Sequence, residues 1–320
     1  MITTMVGNYP KVSEDTYSTK LIGAIAKWQR KELNDEQLRA TSRAVTQAVI
    51  REQEAAGLDL LTDGQIRWED LVTPLARGLE GFQIEGLDRW FNNNTYYRRP
   101  ILLSKPVWKR PVLVDDYQFA KQCTTRPVKA VLPGPYTFVE VSEDRYFKSQ
   151  RPFVLAMAEI LNHEAQALVK AGAPLIQFDE PALVFGKPNM KLAVEALNIA
   201  TRGLKANTAV YTYFGSLNGA LEPLLRAKID VVGIDVVSDG RALPALRKIK
   251  VTKELGIGCM DARNTKLESI KDLHAIFRAV KKAVSTDRLH INPNCGLEFL
   301  PHRQAQAKIQ RLAEAVRTFR

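Results

Sequence analysis

LIQFDEPAL, residues 175–183, is the stretch from which the fold can be read. Residues 175–178 form a short, largely apolar run that stops abruptly at Asp179, Glu180 and Pro181, as a strand covered on both faces should. Just upstream, Val154, Ala158, Leu161, Ala165 and Leu168 recur at helical spacing and make one apolar stripe that ends before Gly172. A helix therefore leads into the strand. The same alternation extends outward in both directions. Further strand-like runs lie at residues 2–6, 58–61, 128–132, 209–213, 231–236, 256–260 and 289–292, which makes eight.

Helical patterns separate these runs. Asn34 with Gln37 three residues on has the form of a capping box, opening a helix that runs to Gly57. Leu267, Ile270, Phe277, Val280 and Val284 form a second stripe, and Ile309, Leu312, Val316 and Phe319 make the last helix amphipathic. Eight strands alternating with helices predict an α/β chain folded as a (β/α)₈ TIM barrel, residues 1–320 making one domain. The competitor is a doubly wound sheet. It usually carries a Gly-rich phosphate loop after its first strand, and GNYPK (residues 7–11) is not one. Residues 81–121 interrupt the alternation. Their aromatics, prolines and the Asn92, Asn93, Asn94 turn predict a β-rich excursion inserted after strand two, flanking the barrel mouth.

Composition narrows the function classes. With 45% hydrophobic and 25% charged residues the chain reads as globular, which excludes disorder. No apolar run approaches the roughly 18 residues that cross a bilayer, and MITTMVGNYP has no signal-peptide pattern. Cys123, Cys259 and Cys295 are few and far apart, which argues for a reducing compartment; the expectation is a cytoplasmic protein with no membrane partner. The net charge of +11 is read first as basic residues spread over helix faces. Its densest patch, Arg98, Arg99, Lys105, Lys109 and Arg110, interleaves with Tyr96, Tyr97 and Trp108, but Pro100, Pro106 and Pro111 divide it and no nucleic-acid motif accompanies it.

Barrel enzymes build their sites at the C-terminal ends of the strands, so the residues just after each run are the candidates. They are Gly7 and Asn8 after the first run; Asp63, Gln65 and Arg67 after the second; Asp179 and Glu180 after the fourth; and Tyr213 at the fifth. Asp235 ends the sixth, Cys259 and Asp261 the seventh, and Cys295 sits in the polar NPNCG turn after the eighth. For any one Asp or Asn the competing role is to cap the next helix. The histidines, His163, His274, His290 and His302, lie in helices or inside a strand and outline no His-rich metal site.

Five of these segments, in order, resemble the catalytic barrel of cobalamin-independent methionine synthases, including the short core versions of that family. TTMVGNYP is similar to the family's TTxIGSFP, GLDLLTDGQIRWEDLV to GLDxxxDGExxRxDMV, and VKAVLPGPYTF to VKGxLTGPxT. IQFDEPAL is similar to IQxDEPAL, and INPNCGLE to VNPDCGLK. The resemblance spans nearly the whole chain and implies a methyltransferase of methionine biosynthesis. In that family zinc holds homocysteine as its thiolate, which then takes a methyl group.

Carried over, the family's His-x-Cys, Glu and Cys ligands fall on Tyr213, Gly215, Asp235 and Cys295. Cys295 is kept and Asp235 is one methylene short, so these two remain as metal candidates, with Cys259 a neighbour that could join them. Two ligands rarely hold zinc tightly. The expected substrate contacts are Gly7, Asn8, Gln65, Arg67, Asp179 and Glu180, and the expected catalytic residues are Asp235, Asp261 and Tyr213, the last because a phenol facing the old metal position can serve as acid or hydrogen-bond donor. Gln65 stands where the family has an acid that helps to hold the amino group of homocysteine. Val141 stands where it has an aromatic platform for folate. That change points to a folate-independent reaction, with a methylated corrinoid, or a corrinoid protein as partner, donating to homocysteine or a related small thiol. Two other readings stay open: a metal-free relative with one-carbon or lyase chemistry centred on Tyr213, and a non-catalytic binding barrel.

Overall fold

The computed structural model describes residues 1–11, 16–217, 219–238, 240–249, 251–284 and 288–319. Its strands are β1 (Ile2–Thr3), β2 (Glu80–Arg89), β3 (Tyr96–Val107), β4 (Ala130–Pro133), β5 (Glu143–Asp144), β6 (Leu175–Asp179), β7 (Asn207–Tyr211), β8 (Val231–Asp235), β9 (Glu254–Met260) and β10 (Leu289–Pro293). Seven of them form one parallel sheet in the order β1-β10-β9-β8-β7-β6-β4. Residues 60 and 61 close the ring, Thr4 pairing with Leu60 and Leu61 with Val128. The result is the predicted barrel.

The strand expected at 58–61 is thus reduced to a two-residue link. Its chain leaves the ladder because the buried Gln53 side chain takes over both backbone groups of Thr62, accepting from its N–H at 3.0 Å and donating to its carbonyl at 2.9 Å. The first strand is shortened by the same physics. The carbonyls of Met5 and Val6 accept from the side chains of Lys129 and Gln177, at 2.5 and 2.7 Å, instead of from a neighbouring strand. Both replacements occur just past the paired residues of their strands.

Packing fills the lower barrel. A side chain on Gly233 or Gly256 would collide with the ring of Tyr211, so these two glycines make the space into which that tyrosine folds. The helices pack outside, among them Asp35–Ala56, opened by the predicted capping box. Asn34 accepts from the Gln37 N–H at 2.9 Å and the Gln37 side chain accepts from the Asn34 N–H at 3.0 Å, an arrangement worth about 1 kcal/mol. Among the described residues no helix is long and apolar enough to cross a membrane.

The inserted segment is a long antiparallel hairpin of β2 and β3, extended by β5 into a separate three-stranded sheet. Its tip is the asparagine-rich turn, where the Trp90 N–H donates to the Thr95 carbonyl at 2.9 Å. The end of the excursion is not β-rich as expected, because Val114–Gln122 is a helix with Asp115 and Asp116 in its first turn. Glu164 fastens the base of the hairpin: its carboxylate accepts from the Trp108 indole at 2.6 Å and from the N–H groups of Val112 and Leu113. Several basic residues of the hairpin are paired locally, Arg99 with Asp88 and Glu143 and Lys109 with Glu80. That local neutralisation supports the spread-charge reading of this patch.

Candidate active site

Lys129 directly before β4, Gln177 and Asp179 on β6 and Tyr213 just after β7 are brought together by neighbouring barrel strands and form a relay. The Lys129 ammonium donates to Gln177 Oε1 at 2.6 Å, and Gln177 Nε2 donates to Asp179 Oδ1 at 2.7 Å. The Tyr213 hydroxyl donates to Asp179 Oδ2 at 2.9 Å. All four side chains are buried. Burial pushes the Asp179 carboxyl up and the Lys129 ammonium down, while each charge partly offsets the shift of the other. Tyr213 is pushed well above its ordinary value by burial and by Asp179, so its hydroxyl stays protonated as a donor.

Tyr213 is also the point at which this relay reaches open space. A cavity of about 380 Å³ at the barrel mouth is bordered by Asn8, Lys11, Tyr213 and Glu298 below and by Trp90, Tyr96 and Tyr97 of the hairpin above. Trp90 and Tyr97 meet edge to face with ring centroids 5.4 Å apart. The Tyr97 hydroxyl donates to the Val141 carbonyl at 2.9 Å, so the hairpin is tied to the turn that follows β4. Gln65 lies beneath Gly7: a Cβ there would stand 3.2 Å from Gln65 Oε1. Its own backbone is held at φ +49°, a conformation that costs a non-glycine residue energy.

Of the other candidates, Glu180 is buried with both oxygens taken, accepting from the N–H groups of Tyr136 and Thr137 at 2.9 and 2.7 Å. Its role is to anchor the Gly134–Pro135 turn, and burial pushes its carboxyl up to about 7. Arg67 is ion-paired with Asp116, and Asp261 accepts from the Arg263 N–H at 2.9 Å; neither borders the cavity. Three participants escaped the strand-end reading. Gln177 lies within β6 and Lys129 directly before β4 instead of after a strand, and Glu298 lies beyond the NPNCG turn. Only the last left a signal: GLE stands where the family pattern reads GLK.

The residues at the family's zinc position do not fit a zinc ion. Asp235 Oδ1 accepts from the N–H groups of Val237 and Ser238 at 2.9 and 2.8 Å, and Oδ2 from Asn294 at 3.2 Å. The Cys295 thiol is fully buried, directed to the Gly296 carbonyl at 3.5 Å, and pushed well above its ordinary pKa by burial. Gly215 supplies no ligand, and a Cβ there would lie 2.5 Å from the Val184 carbonyl oxygen. The backbone has closed over that corner, with Phe214 at φ +75° packed against Tyr213 and Phe299. Cys259 does not rebuild the set, since its thiol points to the Asn292 carbonyl and is itself held protonated by burial. Among the described residues no group of three or more His, Cys, Asp and Glu side chains is gathered for a metal.

The family model described as "Cobalamin-independent synthase, Catalytic domain" matches residues 1–318. Among curated proteins, the methionine synthase of Saccharolobus solfataricus is 31% identical over 99% of this chain and 94% of its own. That of Sulfurisphaera tokodaii is 30% identical over 99% and 92%. A solved B12-independent methionine synthase from a Shewanella species, in complex with selenomethionine, superposes with a TM-score of 0.83 at 26% identity, over 98% of this chain and 97% of that one. These findings overturn the expected methylated corrinoid donor and corrinoid protein partner, because the matched family is cobalamin-independent. The folate-independent expectation, drawn from Val141, loses the corrinoid donor that it pointed to. The non-catalytic reading is set aside too, since this family and its relatives are enzymes that transfer methyl groups. Barrel, strand-end motifs and sequence agree along the full length, and the chain belongs to the catalytic-domain family of the cobalamin-independent methionine synthases, as a methyltransferase.

Proposed function

We propose that this methyltransferase methylates the sulfur of homocysteine or a related thiol, with a methylated folate as donor and with Asp179 and Tyr213 doing the work that the family gives to zinc. The observation that carries the reading is the Tyr213 hydroxyl, which borders the cavity and is tied to the buried Asp179 carboxylate at 2.9 Å. A thiol entering the cavity donates to the Tyr213 oxygen. Its proton passes to that oxygen as the tyrosine proton passes to Asp179, leaving a thiolate, a neutral tyrosine and a protonated carboxyl. An ordinary carboxylate is a poor base for a thiol of pKa about 8.5; one raised by burial is a better match. The sulfur lone pair then forms the S–C bond as the donor's N–C bond breaks, and the departing nitrogen takes up the proton.

The donor's flat ring system suits the aromatic rim of Trp90, Tyr96 and Tyr97, and the exposed Arg98 beside it suits an anionic tail. Chelator-treated protein should form methionine from L-homocysteine and methyltetrahydrofolate, offered as mono- and polyglutamate. Absence of methionine with either donor, or activity that appears only on adding zinc, overturns the reading.

A further inference from the structure

Two side chains at the barrel mouth hold buried polar atoms with nothing to bind. Neither amide atom of Gln65 has a hydrogen-bond partner, and Glu298 Oε2 is shielded and equally alone; the Trp68 indole nitrogen is the remaining case among the described residues. Natural proteins seldom leave such atoms unpaired, and clustering of them marks a place where a ligand completes the bonding. Their residues are linked around the first strand end. The Trp68 backbone N–H donates to the Gln65 backbone carbonyl, the Lys11 ammonium donates to the Trp68 backbone carbonyl, and Lys11 and Glu298 share the cavity wall. Gln65 packs under Gly7, and Glu298 Oε2 and the next residue, Asn8, both crowd Gly296.

The carboxylates around this cavity differ in what they have left to offer. Asp70 is consumed by the N–H groups of Val72, Thr73 and Arg98, and Glu69 by Arg77. Asp179, behind Tyr213, has both oxygens bonded. Glu298 Oε2 is the acidic oxygen at the wall without a partner. The sequence departs from the family pattern at the same two places: DGE reads DGQ at position 65, and GLK reads GLE at position 298. A carboxylate is lost on one side of the mouth and gained on the other.

We propose that Glu298 binds the cationic group of the acceptor, while the Gln65 amide, now neutral, donates to the acceptor's carboxylate. An α-amino acid would thus enter with its ammonium turned toward the β10 side of the mouth. The identity of the acceptor as an amino acid rests on the methyl-transfer reading; the charge at Glu298 does not. Burial and Asp179 hold the Glu298 carboxyl above its usual range and Lys11 opposes them, so an arriving ammonium would draw it into the ionised form.

The test is calorimetric binding of L-homocysteine and its desamino counterpart, 4-mercaptobutanoate, to the wild-type chain, Glu298→Gln, and the double variant Gln65→Glu/Glu298→Gln. The wild type should favour homocysteine by about tenfold or more, the range of a hydrogen bond to a charged group. Glu298→Gln should lose that preference while keeping its melting temperature and its affinity for the desamino thiol, and the double variant should regain it. A preference that persists in Glu298→Gln, or a wild type without one, overturns the inference. Glu298-dependent binding without methionine formation would sink the methyl-transfer reading alone. Turnover with a KM unchanged in Glu298→Gln would sink only this inference.

Discussion

The two halves of the barrel mouth have had different fates. On the β4–β6 side, Lys129, Gln177, Asp179 and Glu180 keep the family's residue types; the first three are bonded in a chain that ends at open space through Tyr213, and Glu180 anchors the turn after β4. On the β8–β10 side, Asp235 and Cys295 also keep acid and thiol, yet Asp235 is held by the N–H groups of Val237 and Ser238 and by the Asn294 side chain, and the Cys295 thiol is turned to the Gly296 carbonyl. Retained residue type is therefore a poor guide to retained chemistry. What counts is whether the polar atoms still converge on shared space. Tyr213 joins the halves: it stands at a former ligand position but bonds to Asp179 on the other side.

Variants can break or sharpen this contrast. Asp179→Asn should cost the largest amount, about a hundredfold or more in turnover, because the base of the relay is gone; a modest loss in single-turnover methionine formation would place the chemistry elsewhere. Glu180→Gln should act on stability instead. An amide NH₂ would face a backbone N–H that the carboxylate now accepts, costing about 1–3 kcal/mol in a denaturant melt. If that variant loses activity without stability, the division of labour within the Asp179–Glu180 pair is wrong.

Tyr213→Phe should reduce turnover about tenfold and move the pH profile. The hydroxyl stabilises the ionised form of Asp179, so its removal raises that carboxyl further, and the acid limb of kcat/KM should shift to higher pH. An unmoved limb would remove Asp179 as the titrating base. The smallest effect is expected from Cys295→Ser. Turnover should stay within a few-fold and elemental analysis should find no stoichiometric zinc in either protein. One zinc per chain that disappears in the variant would break the comparison outright.

Much of the fold could be read from local pattern, because strands covered on both faces must be short, apolar and bounded by polar turns, as residues 175–181 are. The closing link at 60–61 was visible as apolar sequence, but not its length. That length depends on Gln53, whose side chain meets Thr62 only once the helix has packed. The helix at Val114–Gln122 was hidden among prolines and aromatics that speak for strand, and its burial of Tyr117 and Ala120 decided the matter.

At the site, sequence alone determined which residue types reach the mouth, including the loss of two ligand types at Tyr213 and Gly215, since strand ends in a parallel barrel converge whatever their side chains. Tertiary structure alone decided which of them act together. Gln177 sits mid-strand and Lys129 directly before β4, where pattern reads core, and only the pairing of β4 with β6 brings ammonium, amide and carboxylate into line. Glu298 reads as a charge after a turn until the turn carries one of its oxygens out of solvent and away from every partner. Hydrogen-bond satisfaction is a property of three-dimensional neighbours, and no spacing along the chain encodes it.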